Sequence, residues 1–284
     1  PDGSQSSITD PNIVNPTFIP DIEGTYVIEL IVNDGVQDSN GSRISLSVES
    51  TLSTAVCFSS QEPKALHGYN WHLNAYDNNF TRNNNINPSS SICLENAWEY
   101  TKGEGILIAI IDDSFEVSHE DMNSSKIMTY NVSTRRTDVS NSSNYASHGT
   151  HTAGVISASD NSVGGVGVAP NADLLLIKVD FFSTQGFDSE IIAAFEYAKN
   201  AGAKVINNSW GTDNVSEIIS AEIRSIVESN ITVVFSSGNS NKNLDGSIED
   251  ESELPFVIGV GGSSEYSTKS TYSNYGSNID IVAP

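Results

Sequence analysis

The chain has 284 residues and carries 13 Lys plus Arg against 36 Asp plus Glu, a formal charge of −23. A surface this acidic repels phosphate backbones and anionic lipid, which excludes nucleic acid as a partner. No apolar run approaches the roughly 20 residues that cross a bilayer, so no membrane span is expected, and an apolar share of 37% is enough to build a soluble core.

The first residues, Pro1-Asp2-Gly3-Ser4-Gln5, hold neither an initiator Met nor a basic stretch leading into an apolar one, so any export signal is expected upstream of them. Residues 1–50 read as all-β. Gly24 to Gly35 places β-branched and aromatic residues in near alternation, and Arg43 to Val48 alternates apolar and polar with period 2. Residues 51–65 read as a linker. The tract Asn78 to Asn85 reads as an exposed loop.

Residues 51 to about 100 are irregular, and after them the rhythm changes. Ile106 to Ile111, Leu174 to Val179, Ala203 to Asn207 and Ile231 to Phe235 are short apolar runs of the kind found in strands covered on both faces. Between them Ser189 to Asn200 and Ser216 to Ser229 carry helical periodicity. Strands alternating with helices predict an α/β fold with a doubly wound, mostly parallel sheet, whose site collects at the carboxyl ends of the strands.

Two cysteines occur, Cys57 and Cys93. An even pair in an Asn- and Ser-rich, Lys-poor chain reads as a disulfide in an oxidising, extracellular setting; two buried thiols are the other reading. Eight Asn-x-Ser/Thr sequons, among them Asn40, Asn79, Asn123, Asn131 and Asn230, say little in so Asn-rich a sequence.

Three polar motifs follow or adjoin the strand-like runs: Asp112-Asp113, then His148-Gly149-Thr150-His151-Thr152-Ala153-Gly154, then Ser236-Ser237-Gly238-Asn239. In this order, with Val205-Ile206-Asn207-Asn208-Ser209-Trp210-Gly211 and Ser270 to Pro284, residues 65 to 284 resemble the subtilisin-like serine proteases. Residues 66–284 are thereby expected to form the peptidase domain, and its partners to be polypeptide substrates. The paired acid Asp112-Asp113 is similar to that of kexin-like members, and Ser114 stands where the family usually has Gly. Residues 16–35 resemble part of a PKD-type or immunoglobulin-like β-sandwich, with Tyr26 at the tyrosine corner; a whole sandwich takes about 100 residues, so residues 1–50 form only part of one.

The protease resemblance implies a role for each matching residue. Asp112 is the triad acid and His148 the general base, because a serine hydroxyl attacks poorly until an imidazole takes its proton and a buried carboxylate orients that imidazole. Asn239 is the side-chain donor to the oxyanion. Ser209, Trp210, Gly211, Ser236, Ser237 and Gly238 wall the specificity pocket, and substrate backbone pairs near Ser209 to Gly211 and Thr184 to Gly186. A structural calcium is implied at Asp121, Asn161 and the carbonyls of Ser159, Val163 and Gly165, an all-oxygen set suited to a hard cation.

The family's nucleophile lies in a Gly-Thr-Ser-Met-Ala motif, which does not occur in these 284 residues. The triad serine, and the remainder of the domain as a partner, are therefore expected beyond Pro284, and a propeptide upstream of residue 1. By itself this stretch is expected to be inactive. The alternative is a catalytically inactive, adhesive or assembly-forming surface protein. The acidic stretch Asp245 to Glu253 reads as a solvated loop; the other reading is that, with Asp213, it favours a basic residue before the scissile bond.

Overall fold

The computed structural model describes residues 4–9, 17–18, 20, 24–31, 37, 39, 41–48, 70–73, 82–122, 126–140, 148–161, 163–181, 186–212, 214–246 and 248–284. Cys57, Asp21, Leu66 to Tyr69, Thr184, Gln185, the sequons at Asn40, Asn79 and Asn123 and the proposed linker 51–65 lie outside them. The chain divides into two compact units, 1–55 and 56–284.

In the first unit, β1 (Ile8–Thr9) pairs antiparallel with β2 (Thr17–Phe18), and β3 (Gly24–Leu30) with β4 (Ser42–Val48). The β3–β4 register sets Tyr26 opposite Leu46 and Ile28 opposite Ile44. Tyr26 is buried and meets Phe18 edge-on at 5.0 Å. Its neighbours Val27, Leu30 and Ile44 are exposed, so among the described residues this ribbon has one covered side chain and little core.

The second unit is built on a seven-stranded sheet in the order β11-β10-β9-β8-β5-β7-β6, every adjacent pair parallel. Its strands are β5 (Leu107–Asp112), β6 (Ile127–Asn131), β7 (Asp173–Lys178), β8 (Val205–Asn208), β9 (Thr232–Ser236), β10 (Ile258–Gly262) and β11 (Ile281–Ala283). The helices are α1 (Leu94–Trp98), α2 (His148–Ser157), α3 (Phe187–Ala201) and α4 (Glu217–Glu228).

Successive side chains of a strand point to opposite faces. Ala109 and Ile111 of β5, Leu175 and Ile177 of β7 and Phe235 of β9 pack with Ile191 and Phe195 of α3 and Ile219 and Ile223 of α4. Ile108 and Ile110, with Leu174 and Leu176, pack on the other face with Ala153 of α2, Phe115 and Val139. Two covered faces explain why these strands read as unbroken apolar runs rather than alternations. Helix α4 starts where Ser216 accepts a hydrogen bond from Ile219 N at 3.2 Å, an N-cap that satisfies one of the first-turn amides.

The register fixes what the carboxyl edge presents. Ile111 lies level with Asn208, and Asn208 with Phe235. The residues that follow, Asp112, Ser209 and Ser236, therefore leave the three central strands at the same end of the sheet.

Candidate active site

Asp112 ends β5 in the middle of the sheet, 2% exposed. Its Oδ1 accepts from Asp113 N at 2.8 Å and lies 2.8 Å from His148 Nδ1. A carboxylate only accepts, so Nδ1 carries the proton and Nε2 is the ring nitrogen open to a reacting group. The His148 side chain is 59% exposed. Its hydrogen bond to Asp112 raises the imidazole pKa, with a further push from the charge of Asp113. Burial raises the Asp112 carboxyl against the bonds from His148 and Asp113 N, and its Oδ2 has no hydrogen-bond partner among the described residues.

His148 opens α2, and its partner Gly149 explains how the helix comes so close to β5. A Cβ at Gly149 would lie 2.4 Å from Ser114 O, a distance real Cβ atoms essentially never show, and 3.0 Å from Asp112 Cβ. Asp113 Oδ1 accepts from Gly149 N at 3.3 Å and from Ser114 Oγ at 3.2 Å, so the second acid caps the helix that carries the imidazole. Ser114 is fully buried in this turn. A cavity of about 370 Å³ opens beside Asp113, lined also by Asn131, Ser133, Lys178, Asp180 and Phe181.

Trp210 Nε1 donates to Ile111 O at 3.1 Å, which ties the segment Ser209 to Gly211 to the strand bearing Asp112. Asn207 Nδ2 donates to Ser209 Oγ at 3.0 Å. Gly186 precedes α3, and the ring of the next residue, Phe187, meets Trp210 at 6.4 Å. After β9, Ser236 and Gly238 are half-buried, Ser237 is 2% exposed and Asn239 is exposed. The residues named from the sequence thus gather along the ends of β5, β8 and β9.

The residues named for calcium form a second group, at the far end of α2, about 15 Å from His148 along ten helical residues. Ser159 N donates to the Asp121 carbonyl at 2.9 Å, and Gly165 N to Asp121 Oδ2 at 2.9 Å, so Ser159 holds the Asp121 main chain and Gly165 its side chain. Asn161 Oδ1 accepts from Val163 N at 2.6 Å. Asp121 is buried, and its Oδ1 has no hydrogen-bond partner among the described residues. Asp121 and Gly165 line a cavity of about 550 Å³ with Asn70, His72, His119 and His151. Burial, with the charge of His151, lowers the His72 pKa.

The acidic stretch departs from expectation. Asp245 and Glu249 are exposed, but Glu251 and Glu253, in a short 3-10 turn, are buried, with Glu251 at 0% exposure. Glu251 accepts from Thr212 N and Thr212 Oγ1, both at 2.8 Å, so a carboxylate read as solvated braces the wall after Gly211. Its burial raises its pKa. Two further residues escaped the sequence: Asn70, whose amide lies beside Gly165, and Asn274, bonded to the loop after β9. Neither has a sequence signal, because each meets its partners across the fold.

Fold and site together define a class: a doubly wound parallel sheet that presents a carboxylate–imidazole pair and a polar strand-to-loop segment at its carboxyl edge. Residues 103–284 match the family model described as Subtilase family, Peptidase S8. The chain belongs to that family. It is similar to the alkaline protease of Alkalihalobacillus alcalophilus, 34% identical over 182 residues that make 64% of this chain and 46% of that protein. It is equally similar to Subtilisin Savinase of Lederbergia lenta, 34% identical over 64% of each chain. The chain therefore spans about half to just under two thirds of the length of these relatives. Among solved structures it resembles the proteases from Pseudoalteromonas arctica, with a TM-score of 0.60 at 26% identity over 69% of this chain and 67% of that one. Fervidolysin from Fervidobacterium pennivorans, a keratinolytic enzyme related to subtilisin, gives 0.58 at 26% identity over 67% of this chain and 30% of that one.

Proposed function

We propose that the chain is part of a secreted serine endopeptidase in which Asp112 and His148 serve a serine nucleophile located beyond Pro284. One observation carries this: the 2.8 Å contact between a buried carboxylate and His148 Nδ1, which leaves Nε2 open at the carboxyl edge of the sheet. In that arrangement Nε2 takes the serine proton as the hydroxyl attacks the peptide carbonyl, then returns it to the leaving amine. Asp112 holds the tautomer and stabilises the imidazolium. Asn239 donates to the developing oxyanion, and Ser209 to Gly211 with Ser236 to Gly238 and Gly186 bind the polypeptide. The family membership and the named protease relatives support the same chemistry. Exposure of the apolar Ile281 and Val282 on the edge strand β11, at 55% and 61%, fits a further segment of the peptidase packing there.

Calcium fits the residues of the second group. A buried carboxylate oxygen with no donor is costly, and a hard cation held by Asp121, Asn161 and the carbonyls of Ser159, Val163 and Gly165 satisfies it. The ion's part is structural: it fixes the loop at the end of α2. No cysteine is free among the described residues, which supports pairing Cys93 with Cys57. Residues 1–50 are assigned to a partial PKD or immunoglobulin-like module, followed by the linker 51–65 and the peptidase domain from 66.

The test is hydrolysis of a peptide library by the whole protein, by its His148→Ala variant and by residues 1–284 alone. Hydrolysis by the whole protein only, blocked by a serine-directed phosphonate, is expected. Hydrolysis by the 284-residue piece overturns the location of the nucleophile, and an inert whole protein favours the adhesive or assembly-forming alternative.

A further inference from the structure

We propose that Asn274 is a positioning residue that holds the loop carrying Asn239 in register with the end of β9, a role that rests on the reading of Asn239 as the oxyanion donor. The loop needs such a hold. β9 ends at Ser236, and two residues later Gly238 turns through a positive φ of 91°. Asn239 then lies exposed, with no helix or strand of its own to fix its main chain.

Asn274 grips this main chain on both sides of Asn239. On the near side its N–H donates to Gly238 O at 3.0 Å. On the far side its Oδ1 accepts from Ser240 N at 3.0 Å and from Lys242 N at 2.9 Å. The space where a Cβ of residue 238 would stand is taken by Asn274 Nδ2, 2.6 Å away, so with its positive φ Gly238 lets this side chain lie close against the turn. One half-buried residue therefore bonds positions 238, 240 and 242 and leaves the side chain between them facing out.

The rest of the segment adds to the same grip. Asn241 N donates to Tyr272 O at 2.7 Å, Tyr275 N to Lys242 O at 3.0 Å, and Lys269 Nζ to Asn241 Oδ1 at 2.8 Å. Asn274 O is itself fixed by Ser273 Oγ at 2.9 Å. Asn274 differs from these neighbours in supplying a side-chain oxygen to two amides at once, which no apolar residue of its size reproduces. An oxyanion donor must reach within hydrogen-bond distance of an oxygen that exists only in the transition state, so its placement decides its worth. The expected signature is a loss in kcat with little change in KM, transmitted through Asn239.

The experiment is a double-mutant cycle in the whole protease. Asn274→Ala and Asn274→Leu are measured alone and together with Asn239→Ala, with amide hydrogen exchange followed at Ser240 and Lys242. Alone, each Asn274 variant is expected to lower kcat by about 10- to 100-fold, with KM changed by less than about threefold. In the Asn239→Ala background the same substitution is expected to lower kcat by less than about twofold. Unchanged kcat in the single variants, or an equal fold-loss in both backgrounds, overturns the proposal. Should the Ala and Leu variants fail to fold, Asn274→Asp keeps the accepting oxygen: slow exchange at Ser240 and Lys242, as in the parent, supports the hold, and fast exchange overturns it. If Asn239→Ala alone leaves kcat intact, the oxyanion reading fails, while the exchange data still report on the hold itself.

Discussion

The ends of β5 and β9 reach the same edge of the sheet on either side of β8, yet they are built in opposite ways. Asp112 and His148 are set by the core: a central strand buried on both faces, a helix packed against it and a glycine that lets the two touch. Asn239 sits in an exposed loop whose place depends on hydrogen bonds from a segment some thirty residues further along the chain. If the two ends serve proton transfer and oxyanion binding as proposed, the difference teaches that the two can fail separately. The first fails by removing a group, the second also by loosening its surroundings.

The largest effect tests the core-held end. In the whole protein, if it is the proposed protease, His148→Ala is expected to lower kcat by about a million-fold, and Asp112→Asn by about ten-thousand-fold, magnitudes that come from serine proteases, a subtilisin among them. Both variants should keep the parent's melting temperature within a few degrees. A variant at either position that retains more than a tenth of the activity breaks the comparison at its first term.

Asn239→Ala is expected to cost about 100- to 1,000-fold in kcat, again a magnitude measured in a subtilisin rather than here. Its effect should be largest on kcat, and a loss confined to KM would assign Asn239 to substrate binding instead.

If calcium binds at Asp121 as proposed, a strong chelator is expected to lower the melting temperature, because it leaves the buried Asp121 Oδ1 without a partner among the described residues. Asp121→Asn should reproduce the loss and abolish the response to chelator. An unchanged melting curve argues against the site.

The pH profile sharpens the comparison further. In the proposed reaction His148 must be neutral to accept the serine proton, and its pKa is raised, first by its bond to Asp112 and then by the charges of Asp112 and Asp113. The acid limb of kcat/KM should therefore lie above the usual imidazole range, near 6.5. Asp113→Asn removes one of those charges while its amide oxygen still accepts from Gly149 N, so the limb should move to lower pH. A shift to higher pH contradicts the assigned electrostatics.

Glu251 supplies the smallest effect. Its folded pKa is raised above 4.5, so it contributes stability that is present below that value and lost as pH rises through the folded pKa. Glu251→Gln, which keeps an oxygen for Thr212 N, should gain on the parent in thermal stability as pH rises from about 4.5 to neutrality. A constant difference across that range would show that the carboxyl does not titrate in the fold.

The sequence exposes the core-held end far better than the loop-held one. Strands β5, β7, β8 and β9 were legible because sheets covered on both faces read as apolar runs. The edge strand β6, with Thr129 and Tyr130 among its apolar residues, and the glycine-rich β10 give no such run and went unread. Helix α2 shows no helical periodicity, since Gly149, Thr150, Thr152 and Gly154 leave no apolar stripe. The buried Glu251 was misread because a run of acids is solvated by default, and nothing local announces that Thr212 satisfies it. Asn274 was invisible for the same reason: its partners at Ser240 and Lys242 are near only after folding.

The most direct test of the central claim is covalent labelling of the whole protein with a serine-directed fluorophosphonate, followed by peptide mapping of the adduct. The account predicts a single modified serine outside residues 1–284, with labelling abolished in His148→Ala. An adduct on a serine within these residues, or labelling that persists without His148, would contradict it.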